Sequence, residues 1–291
     1  MVSIDRLIGS YQEELTTASF SALLELAVAL GHYRDAIVLV GGWAPYLLIG
    51  EFGRGDYSHV GSIDIDLAVN PELIDEDDYS SIVDIVKSRG YVSRNAKDDT
   101  PLLYSFTKTI SSPVDRRPYS ISIDFLTSHT EARQGHRHRT IQNELQALMA
   151  DGCELAFNHN VSIEVEGTLA SGAKVARKLN VLDIPGCVCM KGIVLGERYR
   201  QKDAYDIYSV IGHCLSGPRE VAGRIEPFLQ EDGVQRGVQS IDSAFRDIKA
   251  EGPTWVAEFL SPVDLEERSR IQAETYSVVK DFLDNLVELV D

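Results

Sequence analysis

Two aspartates stand where their carboxylates could act together. Asp64 and Asp66 lie two positions apart in residues 62–69, where apolar and polar side chains alternate. Because side chains two apart in a strand project from the same face, both carboxylates would point the same way. Two like charges this close favour a divalent cation that prefers oxygen ligands, such as Mg²⁺. The pair is therefore a candidate metal site.

A third carboxylate comes from Asp124. It lies in residues 119–126, where Ile121, Ile123 and Phe125 alternate with polar side chains and predict a second strand. If this strand neighbours the first, three carboxylates meet on one face. Such a set can hold two Mg²⁺ ions and support an in-line displacement at phosphorus. The alternative is that these acids only form the solvated face of a half-buried sheet.

A glycine pair offers a possible phosphate site. Gly41 and Gly42 follow residues 36–40, which predict a buried strand, and precede residues 43–50, which predict a helix. Glycines let backbone amides approach an anion without a Cβ in the way, and a helix N-terminus favours phosphate. A tight turn without a ligand is the alternative.

Together, the glycine pair, the paired aspartates and Asp124 resemble the motifs of the polymerase-β-like nucleotidyltransferase superfamily. The resemblance covers about the first 130 residues. One departure is that Gly42 and Asp64 lie 22 positions apart, farther than is usual in the family, with residues 51–61 as an enlarged loop. The resemblance implies that the paired aspartates bridge two Mg²⁺ ions and that the glycines cradle the β- and γ-phosphates of a nucleoside triphosphate. It also implies that Asp124 holds the metal ion that activates the acceptor hydroxyl.

A second charged set follows later in the chain. Lys191, Arg198 and Lys202 are followed by Asp203 and Asp206, a pattern that resembles the AbiEii/MenT toxin nucleotidyltransferases of type IV toxin–antitoxin systems. On an unbroken helix the three basic side chains share one face, and an acid four residues after a lysine can pair with it. The resemblance implies that Lys191, helped by Arg198, grips the triphosphate while the two aspartates order the site. A solvated charged helix face is the alternative.

Other polar residues suggest weaker sites. Residues 133–139 form a dense basic run, which could lie over the nucleotide, contact RNA phosphate or simply be solvated surface. We do not expect His136 and His138 to bind metal, because no cysteine or acid stands at zinc-finger spacing from them. Cys187 and Cys189 are predicted to be buried, inert thiols.

The elements that must position these residues follow from hydrophobic periodicity. An α+β fold is predicted: a nucleotidyltransferase core over residues 1–180, with a mixed or antiparallel sheet flanked by helices, then an all-helical domain over residues 181–291. Further strands are expected at 102–110, 153–157 and 161–169, and helices over the first thirty residues and 78–89.

Composition narrows the classes of protein. The chain has 291 residues, a formal net charge of −17 and 44% hydrophobic residues, which is typical of a globular protein and excludes a disordered, collagen-like or coiled-coil chain. Its apolar runs are too short to span a membrane and no signal peptide is evident, so we expect no membrane partner and a cytoplasmic location. Residues 101–202 carry a net charge of +3 against −10 for each flank. RNA contact, if any, would be local to this middle segment, and high-affinity nonspecific RNA binding is excluded.

The prediction is a Mg²⁺-dependent nucleotidyltransferase that moves a nucleotide from a nucleoside triphosphate to an acceptor hydroxyl and releases pyrophosphate. The AbiEii/MenT resemblance implies a tRNA 3′ end as acceptor, a toxin that arrests growth, and a cognate antitoxin as a possible partner. Two alternatives stay open. One is a small-molecule antibiotic nucleotidyltransferase, because Gly41-Gly42-Trp43 followed by Arg54 and His59 loosely resembles the motif of that class. The other is an inert binding protein that keeps the fold.

Overall fold

The chain folds into two units in this computed structural model, one that contains the sheet and one that is helical. The structure describes residues 7–74, 81–129, 137–197 and 201–290. The sheet unit comprises Gln12–Trp43 and Gly61–Leu182, and the helical unit comprises Met1–Tyr11, Ala44–Val60 and Asp183–Asp291.

The sheet unit is built around one mixed sheet. In the described residues its strands are β1 (Ile37–Val40), β2 (Asp64–Val69), β3 (Val92–Asn95), β4 (Pro101–Ser111), β5 (Pro118–Thr127), β6 (His138–Gln142), β7 (Leu145–Met149), β8 (Asn160–Thr168) and β9 (Lys174–Leu182). They run in the order β3-β4-β5-β2-β1-β9-β8, and β7 pairs with both β5 and β6. Three of the pairs are parallel, β1 with β9, β2 with β5 and β5 with β7, and the others are antiparallel.

Alternation along the central strands separates a core face from a polar face. Ile65 on β2, Phe106 on β4 and Phe125 on β5 are fully buried, and the residue before each of them is polar and points to the opposite face of the sheet. Helix α1 (Glu13–Ala29) contacts β8 and β9 and buries Leu23 and Leu24. Removing such side chains from water contributes about 1.5–3 kcal/mol each. The polar face of these strands is thereby left to carry chemistry.

The helical unit follows from three- and four-residue apolar spacing. Helix α2 (Trp43–Phe52) starts with the last residue of the sheet unit's first segment. The later helices are α5 (Ile184–Glu197), α6 (Gln201–His213), α7 (Pro218–Ile225), α8 (Asp232–Ala244), α9 (Glu251–Leu260) and α10 (Leu265–Val290). Tyr205 on α6, Phe259 on α9 and Phe282 on α10 are fully buried and form part of the core.

The predicted fold class is confirmed, but several elements differ from the sequence prediction. Residues 153–157 form not a strand but helix α4 (Glu154–Asn158), and the other short helix of the sheet unit is α3 (Ile82–Ser88). Gly152 turns the chain with φ of +75°, and the Asn160 side chain donates to a carbonyl of the last turn of α4. A five-residue segment is too short for its periodicity to separate strand from helix.

Four strands, β3, β6, β7 and β9, have no counterpart in the prediction. β6 begins within the basic run, and β9 exposes Lys174, Arg177 and Lys178, so neither shows a clean apolar alternation. Near the start, the helix begins only at Glu13, after Gln12 with extended backbone. Residues 44–60 group with the helical unit, whereas the prediction placed them within residues 1–180.

In the described part of the chain, no helix combines the length and apolar character needed to cross a membrane. The thiols of Cys153, Cys187, Cys189 and Cys214 are free and buried. Burial raises the pKa of both Cys187 and Cys189, so these thiols resist ionisation.

Candidate active site

The three aspartates of the sequence prediction are neighbours in the sheet, and we call them the carboxylate row. β2 and β5 are parallel partners, with Asp66 opposite Asp124 and Asp64 opposite Ser122. Adjacent strands lie about 4.8 Å apart, and residues two apart share a face, so the three carboxylates project from one face of the sheet. All three are half-buried, whereas Ile65 between the first two is fully buried on the opposite face.

Gly41 lies directly against this row. Its φ of +67° is a left-handed conformation that favours glycine, and a Cβ added there would lie 2.0 Å from Asp66 Oδ2. The position therefore admits no side chain while Asp66 keeps its place. Gly42 follows, and α2 begins at Trp43. Trp43 is buried, so it belongs to the core.

Two residues that the sequence analysis missed hold Asp124. Ser105 on β4 is the antiparallel partner of Asp124, and its hydroxyl donates to Asp124 Oδ1. Arg94 Nη1 on β3 donates to Ser105 Oγ at 3.2 Å and lies 3.8 Å from Asp124 Oδ1. Alternation over residues 102–110 places Ser105 on a polar face, but only the register of β4 on β5 sets it opposite Asp124.

The charge of the row affects Asp124. Burial raises the pKa of its carboxyl, and the neighbouring Asp64 carboxylate adds to this, while the Ser105 hydrogen bond and Arg94 oppose it. The raised pKa shows that negative charge at this position is costly. A bound cation would reduce that cost.

Donor chemistry at the row fits Mg²⁺, because carboxylate oxygens are the ligands it prefers. Asp64 and Asp66 share a face with Asp124, so all three could contribute. Within residues 7–74, 81–129, 137–197 and 201–290, no three histidine, cysteine, aspartate or glutamate side chains already converge on a point that could hold a metal ion. The structure thus places carboxylates, the ligands that Mg²⁺ prefers, on one face of the sheet.

A second set of charges lies in the helical unit, and we call it the buried ion cluster: Lys191, Lys202, Asp203, Asp206 and His59. Lys191 Nζ on α5 lies 2.8 Å from Asp203 Oδ1 and 2.7 Å from Asp206 Oδ2, both on α6. Lys202 Nζ and His59 Nε2 contact Asp206 Oδ1, the latter at 2.9 Å. The Asp206 and His59 side chains are fully buried, and Lys191 exposes 10% of its side chain.

The protonation states of this cluster follow from its neighbours. Burial lowers the pKa of Lys191, but the Asp203 and Asp206 carboxylates outweigh it and raise the pKa above its usual range. Burial raises the pKa of Asp206, but Lys191 and Lys202 more than offset it and the pKa falls below its usual range. Burial and the Lys202 charge lower the pKa of His59 to about 4. Neutral His59 therefore donates its Nε2 proton to ionised Asp206.

Charge balance gives this cluster a different character from the row. Burial lowers the pKa of Lys202, and the Lys191 charge adds to this, while the Asp206 carboxylate opposes it. With both lysines protonated and the histidine neutral, two ammonium groups face two carboxylates and the set has no net charge. Lys191 is engaged with both acids and links α5 to α6. Arg198, another predicted nucleotide contact, lies outside the described residues. The sequence predicted one unbroken helix for the basic residues, but Lys191 lies on α5 and Lys202 on α6.

The basic run lies partly outside the described residues, since residues 133–136 and so His136 are not among them. His138 stacks on Tyr104, with ring centroids 4.7 Å apart. Arg139 Nη2 lies 2.9 Å from Glu72 Oε1. These described members of the run are therefore packed or paired within the sheet unit.

No protein family matches the chain in sequence, and no curated protein does. Solved structures similar to it include an antigenic nucleotidyltransferase-like protein from Paracoccidioides brasiliensis, 14% identical with a TM-score of 0.45 over 79% of this chain and 88% of that one. JHP933 from Helicobacter pylori is 14% identical with a TM-score of 0.40 over 96% and 97%. The nucleotidyltransferase toxin MenT4 from Mycobacterium tuberculosis H37Rv is 15% identical with a TM-score of 0.36 over 94% and 89%.

A nucleotidyltransferase-like protein and a MenT toxin are thus among the structures similar to this chain. At such identities and TM-scores the likeness assigns no residue role and no substrate here.

Proposed function

We propose that the chain is a nucleotidyltransferase that transfers a nucleoside monophosphate from a nucleoside triphosphate to an acceptor hydroxyl. The observation that carries this proposal is the carboxylate row itself: Asp66 faces Asp124 in register across parallel strands, and Gly41 lies against Asp66 where no side chain fits. Half-exposed acids on the polar face of a sheet, beside a backbone free of Cβ, suit a cation and a phosphate chain.

The proposed chemistry assigns each group a task. Asp64 and Asp66 would hold Mg²⁺, which when bound neutralises the triphosphate and polarises its α-phosphate. Asp124 would hold the Mg²⁺ ion that activates the acceptor hydroxyl, and would take the proton of that hydroxyl. The acceptor oxygen then forms a bond to the α-phosphorus, the bond from that phosphorus to the bridging β-oxygen breaks, and pyrophosphate leaves. Positioning and charge neutralisation would supply most of the rate.

The helical unit enters the proposal through the motif resemblance. Lys191, Arg198, Asp203 and Asp206 are proposed as nucleotide-binding residues. Lys191 has three N–H donors and is paired with two carboxylates, so a phosphate could accept from the third donor or take the place of one carboxylate oxygen. The alternative within this proposal is that the cluster acts only by ordering α5 against α6.

The acceptor and biological role are also proposed from the motifs. The AbiEii/MenT resemblance favours a tRNA 3′ end as acceptor, growth arrest as the outcome and a cognate antitoxin as partner, all in the cytoplasm. The positive charge of residues 101–202 supports a local RNA contact. A tRNA acceptor requires binding that weakens with rising salt, because counterions are released from the phosphate backbone.

The test is transfer of label from each α-³²P nucleoside triphosphate, with Mg²⁺, to total tRNA and to aminoglycoside or lincosamide acceptors. We expect the double variant Asp64→Asn, Asp66→Asn to lose about 10³-fold or more of the wild-type rate. The matched control is Asp35→Asn, since Asp35 is an acid of the sheet unit whose side chain is 80% exposed. Equal rates in the wild type and the double variant would contradict the proposal. If label appears on the small molecules and not on tRNA, the acceptor is a small molecule.

A further inference from the structure

Asp124 has unequal surroundings at its two carboxylate oxygens. Oδ1 accepts the hydrogen bond from the Ser105 hydroxyl and lies 3.8 Å from Arg94 Nη1. Within the described part of the chain, the hydrogen bond and the ion pair of this side chain both reach Oδ1, so Oδ2 is the oxygen left for another partner. The Asp124 side chain is 32% exposed, so such a partner can reach it.

The direction of the hydrogen bonds is fixed by the groups involved. An arginine only donates, an ionised carboxylate only accepts, and the serine hydroxyl has one proton. Ser105 therefore accepts from Arg94 and donates to Asp124. Ser105 is 1% exposed, so water does not compete for its hydroxyl. A chain in which each bond polarises the next is stronger than its separate parts.

Sheet register fixes the Ser105–Asp124 part of this hydrogen-bond chain. β3, β4 and β5 are consecutive antiparallel neighbours, and Ser105 pairs with Asp124 across the last two. Ser105 and Asp124 therefore originate from paired positions of the ladder, whereas Arg94 lies where the register of β3 on β4 shifts between Ser93 and Asn95. Groups anchored on such elements keep their geometry better than groups on loops.

We propose that Arg94 and Ser105 are positioning residues for Asp124: they fix its Oδ1 and so hold its carboxylate in one orientation toward the cation and the acceptor that the row would bind. This inference rests on the proposed function of the carboxylate row. It assigns Arg94 and Ser105 to the reaction, although neither touches the substrate. A carboxylate that rotates about its last torsion would present its free oxygen only part of the time, and small misplacements are costly in catalysis.

A purely structural role for Ser105 is the competing explanation. A buried hydroxyl between strands also stabilises a sheet. The two explanations differ in what a substitution changes. A structural role predicts a lower unfolding free energy with unchanged kcat, whereas positioning predicts lower kcat with little change in KM for the nucleoside triphosphate.

The experiment measures three quantities on the full chain: kcat and KM for transfer, Mn²⁺ affinity by electron paramagnetic resonance without nucleotide, and unfolding in urea. For Ser105→Ala we expect about a 10- to 100-fold loss in kcat, a KM within about twofold of wild type and several-fold weaker Mn²⁺ binding, the range typical of residues that orient metal ligands. Ser105→Thr keeps the hydroxyl and should restore most of kcat. Arg94→Gln should lower kcat by about 3- to 10-fold, because its side chain is 39% exposed and solvent partly replaces its charge.

Matched controls lie on the same sheet. Thr107, two residues along β4 on the same face, bonds Ser120 Oγ at 2.9 Å and no carboxylate, so Thr107→Val should leave kcat and Mn²⁺ affinity unchanged. Arg117→Ala removes an exposed cation elsewhere in the sheet unit and should also leave both unchanged.

Wild-type kcat and Mn²⁺ affinity in both Ser105→Ala and Arg94→Gln, with Asp124→Asn inactive, would overturn the positioning role and leave the proposed function standing. Full activity in Asp124→Asn would instead remove Asp124 from the reaction, and the positioning role with it. If Ser105→Ala does not fold, Arg94→Gln decides the question, since its side chain is partly exposed.

Discussion

The carboxylate row and the buried ion cluster use the same residue types under opposite conditions. In the row, three half-buried aspartates share one face, and the pKa of Asp124 is raised. In the cluster, the Asp206 carboxylate is fully buried beside two lysines, and its pKa is lowered. Burial penalises ionisation in both places, so the difference comes from the nearby cations.

The contrast indicates what each region is built for. A set with no net charge that is largely removed from water has little to gain from a further ion, and its ion pairs instead hold helices together. A half-exposed set of acids keeps an unfavourable charge that a cation can relieve. We therefore expect substitutions in the buried ion cluster to act first on stability and those in the carboxylate row to act first on transfer.

The largest effect should come from removing the cluster's central cation. Lys191→Met leaves Asp203 and Asp206 buried with less compensation, and breaking a buried pair in this way costs about 3–5 kcal/mol of unfolding free energy. Urea unfolding followed by circular dichroism measures it. Adding Asp203→Asn should recover part of the loss.

Asp64→Asn is the comparison variant, because it removes a half-buried acid from the row. We expect its unfolding free energy to stay within about 0.5 kcal/mol of wild type. The contrast fails if Lys191→Met costs less than Asp64→Asn.

Acid should weaken the cluster through His59. Its pKa is lowered to about 4 from 6.5 by burial and the Lys202 charge. The unfolded chain therefore binds this proton at a higher pH than the folded chain does. The contribution of His59 to the unfolding free energy is therefore full above pH 6.5. It falls as the pH drops from there toward 4, by about 3 kcal/mol in all.

His59→Gln isolates that dependence, since a glutamine amide can donate to Asp206 but does not titrate. Unfolding free energies of both proteins between pH 4 and 7 give the difference curve. We expect the wild type to lose stability relative to His59→Gln as pH falls. Parallel curves would show that His59 ionises equally in both states.

The smallest effect concerns Gly41 beside the row. Gly41→Ala places a Cβ in a left-handed backbone and into the Asp66 carboxylate, and should cost about 2 kcal/mol with reduced transfer. Gly172 is the control, because its φ of +88° is similar and nothing lies within 4 Å of an added Cβ. Gly172→Ala should cost about 1 kcal/mol and leave transfer unchanged. Equal effects at the two sites would mean that backbone strain alone acts at Gly41.

Periodicity sufficed for much of the fold. The alternation around Asp64 and Asp124 gave their strands and faces, and apolar spacing gave the helices from residue 184 onward. It failed where a segment was short, as at residues 153–157, and where strands were polar, as in β6 and β9. These polar segments form strands because they pair with neighbouring strands, and the local sequence does not encode that pairing.

By itself, the sequence determined which carboxylates can share a face and which lysine can pair with an acid four residues on, because strand and helix repeats fix these relations locally. Tertiary structure alone decided that Asp66 lies opposite Asp124, that Ser105 and Arg94 hold one oxygen of that acid, and that His59 joins Asp206 across 147 positions. Register and burial are properties of the assembled sheet and helices, and they set how strongly each charge is compensated.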